Sequence, residues 1–164
     1  LSELRYSRIE ISKEALNFSA GHFTIFSATD RENLHGHNFN LQCQATAPLN
    51  NEGLLFDYAV LKKLLKKLCD EHDEVVILPL KSPHLAISED GDYVVAEFNG
   101  EKMYFLKRDV MLLPITNSTV EEFSHYFLDI IRNHPDLEGK GVIALTVKVS
   151  SNTGQYGVAE WSEL

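Results

Sequence analysis

The run from Asn38 to Ala47, Asn-Phe-Asn-Leu-Gln-Cys-Gln-Ala-Thr-Ala, alternates polar and apolar residues without a break. A period of two marks a β-strand with one buried face, on which residues two apart point the same way. Directly upstream stand His35 and His37, so both imidazoles fall on the face that carries Phe39, Leu41 and Cys43. A second alternating run, Leu16 to His22, puts His22 on one face with Leu16, Phe18 and Ala20. If the two runs pair, three imidazoles converge at the open end of one sheet face. Three histidines with a free fourth position form the ligand set of a catalytic zinc ion. His84, beside Pro83, and His134, before Pro135, have no such partners and read as surface residues.

The rest of the chain frames this pair of strands. With 164 residues and 44% hydrophobic content, it is long enough for one domain, spanning 1–164, with a substantial core. The net charge is −9, and no basic stripe or arginine cluster interrupts it, so nucleic acid is not an expected partner. No apolar run approaches the roughly 20 residues that cross a bilayer, so no membrane association is expected. Two cysteines, one on an inward strand face and one in a helix, do not make a disulfide framework. A reducing cytoplasm is the expected compartment.

Helical periodicity appears twice. Asp57 can cap a helix whose apolar stripe is Val60, Leu61, Leu64, Leu65 and Leu68, with Lys62, Lys63, Lys66 and Lys67 opposite. Ser118 with Glu121, or Thr119 with Glu122, forms a capping box ahead of Val120, Phe123, Phe127, Ile130 and Ile131. That second helix stops at Asn133-His134-Pro135. Strands are expected over 5–12, 15–23, 35–47, 142–150 and 156–161. Asn99-Gly100 turns a hairpin of 93–98 with 102–107. The order predicts an α+β domain with two helices on one face of an antiparallel sheet and a hairpin inserted at 88–110. The open edges of such a sheet need covering, and oligomerisation is one way to cover them.

Four stretches carry a resemblance to the 6-pyruvoyl-tetrahydropterin synthase and 6-carboxy-tetrahydropterin synthase family. They are Phe18-Ser19-Ala20-Gly21-His22, Leu34-His35-Gly36-His37-Asn38-Phe39, Phe56-Asp57-Tyr58-Ala59-Val60-Leu61-Lys62 and Asn117-Ser118-Thr119-Val120-Glu121-Glu122-Phe123. The resemblance implies the tunnelling fold, with an antiparallel four-stranded sheet, two helices and assembly into a trimer or a hexamer. It also implies zinc on His22, His35 and His37, and a lyase reaction on the side chain of a dihydroneopterin-type pterin.

The chain departs from the family pattern at the catalytic positions. The family's cysteine, four residues before the first histidine of the His-x-His pair, is Arg31 here. The adjacent Glu32 matches a subgroup that uses a glutamate instead, and for that subgroup the resemblance implies cleavage to 6-hydroxymethyl-dihydropterin. The family's Asp-His pair after the first helix points to His72, with Glu71 or Asp70 as its orienting carboxylate. The glutamate that normally anchors the pterin is replaced by Ser151, which leaves Glu160 as a candidate substitute. Ser118 and Thr119 are candidate donors to the pterin ring. The competing reading is a metal-binding homologue without pterin turnover that holds another small molecule or a protein partner.

Overall fold

The computed structural model describes residues 3–164. The alternating run is the longest strand, β3 (His35–Pro48), and every second residue from Phe39 to Ala47 is buried. Its two edges organise the sheet. One edge takes β1 (Tyr6–Ile11) along Cys43–Pro48 and β2 (Asn17–His22) along His35–Asn40, both antiparallel. The other edge takes β9 (Ala144–Asn152), which in turn pairs with β10 (Gln155–Ser162). The expected strands 5–12 and 15–23 are thus both present, laid end to end along one neighbour.

The sheet is larger than the four antiparallel strands expected. On the far side of β2 lie β4 (Val75–Pro79) and β8 (Val110–Leu113), both paired in parallel. Seven strands result, in the order β10-β9-β3-β2-β4-β8 with β1 also on β3. β4 is apolar throughout because each of its faces has a core of its own. Val75 and Ile77 join the core under the helices, whereas Val76 and Leu78 join a second core on the reverse side. β8 is divided in the same way, with Met111 and Leu113 on one side and Val110 and Leu112 on the other. Such runs carry no alternation, so periodicity does not distinguish them from buried helix.

The reverse core is closed by a separate sheet of β5 (Leu85–Asp90), β6 (Tyr93–Phe98) and β7 (Glu101–Leu106). The expected hairpin about Asn99-Gly100 is β6-β7, and the segment holds three strands rather than two.

Two helices cover the other face. α1 (Ala59–Glu71) buries Leu61, Leu64, Leu65 and Leu68, as the stripe predicts. Asp57 stands one residue before its cap position, and its carboxylate accepts from the Ala59 amide at 3.1 Å. α2 (Val120–Arg132) is capped by Thr119, whose hydroxyl accepts from the Glu122 amide at 3.2 Å. The Glu122 carboxylate reaches past the cap to the Thr116 amide at 2.8 Å. Both helices press on Phe18 and Phe39, whose rings stack at 5.2 Å across β2 and β3.

Gly157 lets the start of α2 sit directly on β10. A Cβ at that position would lie 2.3 Å from the Val120 carbonyl oxygen, a backbone atom that cannot swing aside. Gly157→Ala is therefore expected to cost about 1–3 kcal/mol of overpacking, measured as a lower urea midpoint.

Candidate metal centre and active site

The register of β2 on β3 builds the centre. His22 lies directly opposite His35, and Ala20 opposite His37, so the second imidazole of the His-x-His pair sits diagonally from His22. Ring centroids are 4.7 Å apart for His22 and His35, 4.8 Å for His35 and His37, and 5.3 Å for His22 and His37. One nitrogen from each lies within 4.8 Å of the others. Phe39 forms the floor, its ring 5.2 Å from that of His22.

Hydrogen bonds fix which nitrogens are free. His22 Nδ1 is 2.7 Å from the Ser118 carbonyl, and His35 Nδ1 is 2.7 Å from the Asn33 carbonyl. A carbonyl only accepts, so both Nδ1 atoms carry hydrogen, and in the neutral ring each Nε2 holds the lone pair. A backbone carbonyl behind the ring is the usual orienting partner of a metal-bound histidine. His22 Nε2 is buried with no hydrogen-bond partner among the described residues. An unsatisfied buried acceptor costs about 1–3 kcal/mol, which a coordinated cation would remove. Burial pushes the His22 imidazole below its usual pKa, opposed by the Ser118 hydrogen bond and reinforced by His35 and His37. The neutral ring is the metal-ligating form. On donor set, tautomer and orphaned nitrogen, the triad fits a zinc ion.

The three histidines open into a cavity of about 510 Å³, which Glu32, Thr24, Phe26, Thr119, Glu121, Ser151 and Asn152 also line. Glu32 enters from the loop after β2. Its carboxylate accepts from the Thr24 amide at 2.9 Å, and its own amide donates to the Thr24 carbonyl at 2.9 Å. Burial raises the Glu32 carboxyl, but the Thr24 contacts and the nearby imidazoles outweigh it and hold the group below its usual value. Glu32 is thus an ionised acceptor at neutral pH. Arg31 faces the other way, its guanidinium over the rings of Phe23 and Phe98. Neither thiol takes the place of the family's cysteine. Cys43 and Cys69 are free and buried, and burial pushes each up to about 12.

The remaining candidates separate. Thr119 and Ser151 line the cavity. Ser118 is fully buried and is turned away, its hydroxyl donating to the Ile77 carbonyl at 3.0 Å while its own carbonyl holds His22. Glu160 is exposed on β10, opposite Thr146, and is not among the cavity's lining residues. His72 lies in the core between the helices. Its Nδ1 donates to the Leu68 carbonyl at 2.6 Å, and its Nε2 accepts from the Tyr126 hydroxyl at 3.0 Å. Asp70 and Glu71 are on the exposed side of α1, in ion pairs with Lys66 and Lys67. Of the two histidines read as surface residues, His84 is exposed and His134 half-buried.

Sequence reasoning passed over Thr24, Phe26, Glu121 and Asn152. Thr24 continues the alternation of β2 two residues beyond His22. Glu121 fits a capping box and the family-like stretch 117–123, and as the second residue of a helix that starts beside the triad it also faces the opening.

Comparison with known proteins settles the kinship. The sequence profile of the family described as 6-pyruvoyl tetrahydropterin synthase matches residues 10–160. The chain belongs to that family. Among its relatives, the putative 6-carboxy-5,6,7,8-tetrahydropterin synthase of Methanocaldococcus jannaschii is 25% identical over 142 residues, which is 85% of this chain and 86% of that protein. The 6-carboxy-5,6,7,8-tetrahydropterin synthase of Rickettsia bellii is 31% identical over 96 residues, covering 57% of this chain and 65% of that protein. The 6-pyruvoyltetrahydropterin synthase of Plasmodium vivax, solved as a catalytic residue mutant with glutamate changed to alanine, superposes with a TM-score of 0.90 at 27% identity. That match covers 96% of this chain and 99% of the other.

Elemental analysis of protein purified without added metal is expected to give about one zinc per chain. The double substitution His35→Ala and His37→Ala should abolish that content and the rise in melting temperature on adding zinc. Undiminished metal in the double variant would overturn the ligand assignment.

Proposed function

We propose that this protein is a zinc-dependent lyase that cleaves the hydroxylated side chain of a dihydroneopterin-type pterin, with Glu32 as the base. One observation carries the reading: an ionised carboxylate and the free nitrogens of a histidine triad face one cavity. The Plasmodium vivax relative, whose catalytic residue is a glutamate, supports it. His22, His35 and His37 would hold the zinc ion, which when bound supplies Lewis acidity toward side-chain oxygens.

The chain's own residues divide the remaining work. Glu32 accepts the proton of a side-chain hydroxyl through its carboxylate. The adjoining carbon–carbon bond then breaks, a two-carbon aldehyde departs, and the electron pair passes into the pterin ring. The carbon left on the ring regains a proton, which gives 6-hydroxymethyl-dihydropterin. Glu121 takes the part of the missing anchor, because a carboxylate can accept two hydrogen bonds from the amino group and ring N–H of a pterin edge. Thr119, Ser151 and Asn152 supply neutral partners around the ring. Two free, buried thiols suit a reducing cytoplasm.

Zinc-loaded protein is expected to convert dihydroneopterin or its triphosphate to a product separable by chromatography. Glu32→Gln should lower the rate at least about a hundredfold with zinc content unchanged. No product from either compound would sink the lyase reading and favour a homologue that binds without turnover. Full activity in Glu32→Gln would place the base elsewhere.

Among the described residues the sheet ends in β10 and β8, each with one unpaired edge, and Tyr156 and Val158 of β10 are 42% and 46% exposed. We infer that copies of the chain cover these edges as a trimer or a pair of trimers. Light scattering after size exclusion should give three or six chain masses, and a monomer at micromolar concentration would refute the assembly.

A further inference from the structure

Residues 24–32 form a small hairpin. Ile25 and Arg31 bridge, the Phe26 amide donates to the Asp30 carbonyl at 2.9 Å, and Glu32 returns to Thr24. An isolated hairpin of this size is marginal in water, so something outside it must hold it. Two contacts do, one at Arg31 and one at Ile25.

The first is Arg31. Its guanidinium lies 5.0 Å from the ring centre of Phe23 and 5.7 Å from that of Phe98, and Nη1 donates to the Glu32 carbonyl at 2.8 Å. Phe98 belongs to β6, so this contact ties the hairpin to the reverse core, which Phe23 and Ile25 also join. Neighbouring residues of an extended segment face opposite sides. Arg31 turned toward the reverse core therefore turns Glu32 toward the triad.

The second is Asn117, just before α2. Its Oδ1 accepts from the Ile25 amide at 3.1 Å and its Nδ2 donates to the Ile25 carbonyl at 2.8 Å, so the carboxamide pairs with the hairpin as a strand would. The next residue, Ser118, gives the carbonyl that orients His22. One short segment thus fixes both the hairpin that carries Glu32 and the imidazole that faces it.

We propose that Arg31 and Asn117 are positioning residues that act through Glu32, pinning its hairpin at two points. The proposal rests on Glu32 as the base. Arg31, standing where the family pattern has a cysteine, serves as an anchor for its neighbour.

The test is a double-mutant cycle on the zinc-loaded protein with dihydroneopterin and its triphosphate. Arg31→Met and Asn117→Asp are each expected to lower kcat about tenfold to a hundredfold, with KM and zinc per chain unchanged. Arg31→Lys should recover part of the loss. In a Glu32→Gln background, followed through its slow residual rate, each should cost less than about twofold. Amide hydrogen exchange gives a second reading without turnover. Residues 24–32 should exchange faster in both variants while β3 stays protected. An equal loss of rate with and without Glu32, or unchanged exchange in residues 24–32, would overturn the proposal. Wild-type activity in Glu32→Gln alone would instead overturn the role of Glu32.

Discussion

The antiparallel register of β2 on β3 is the constraint on which the rest depends. It sets His22 across from His35 and stacks Phe18 on Phe39 just beneath them. A slip of one residue would send both histidines of β3 to the opposite face and bury Gly36 and Asn38 in their place. Register is well specified here because the buried face is dense. Phe18, Phe39, Leu41 and Cys43 have no exposed surface. The apolar core therefore fixes the histidine triad, and the histidines need only continue a pattern that packing has already set.

What was legible in the sequence follows that logic. The alternation of β3, the His-x-His pair, the stripes of α1 and α2 and the turn at Asn99-Gly100 are local patterns, and each is found where the residues predicted it. β4 and β8 were not legible, because strands with a core on each face lose their alternation and find parallel partners far along the chain. His72 illustrates a different limit. A histidine among carboxylates reads as an acid–base imidazole oriented by Glu71 or Asp70, yet its ring lies between Phe18, Tyr126 and Phe127. Its orienting partner is the Leu68 carbonyl, which no side-chain motif reveals. Glu121 was hidden by its own plausibility as a capping residue.

The two cores share the site between them. The core under the helices supplies the floor beneath the triad, while the reverse core holds the hairpin that delivers Glu32. β4 joins both, since its residues alternate between them. The placement of the carboxylate against the imidazoles therefore depends on the packing of both cores, and a cavity in either would be felt at the site.

The inertness of Cys43 and Cys69 has a consequence for the chemistry of the cavity's surroundings. Thiols pushed up to about 12 hold almost no thiolate at neutral pH, and both are shut away from solvent. Peroxide and electrophiles attack the thiolate, so neither sulfur offers a point of entry. The residue that faces the triad is a carboxylate, which has no sulfenic or sulfinic state to pass through. Where a cysteine would tie the site to the redox balance of its surroundings, this arrangement is chemically deaf to it.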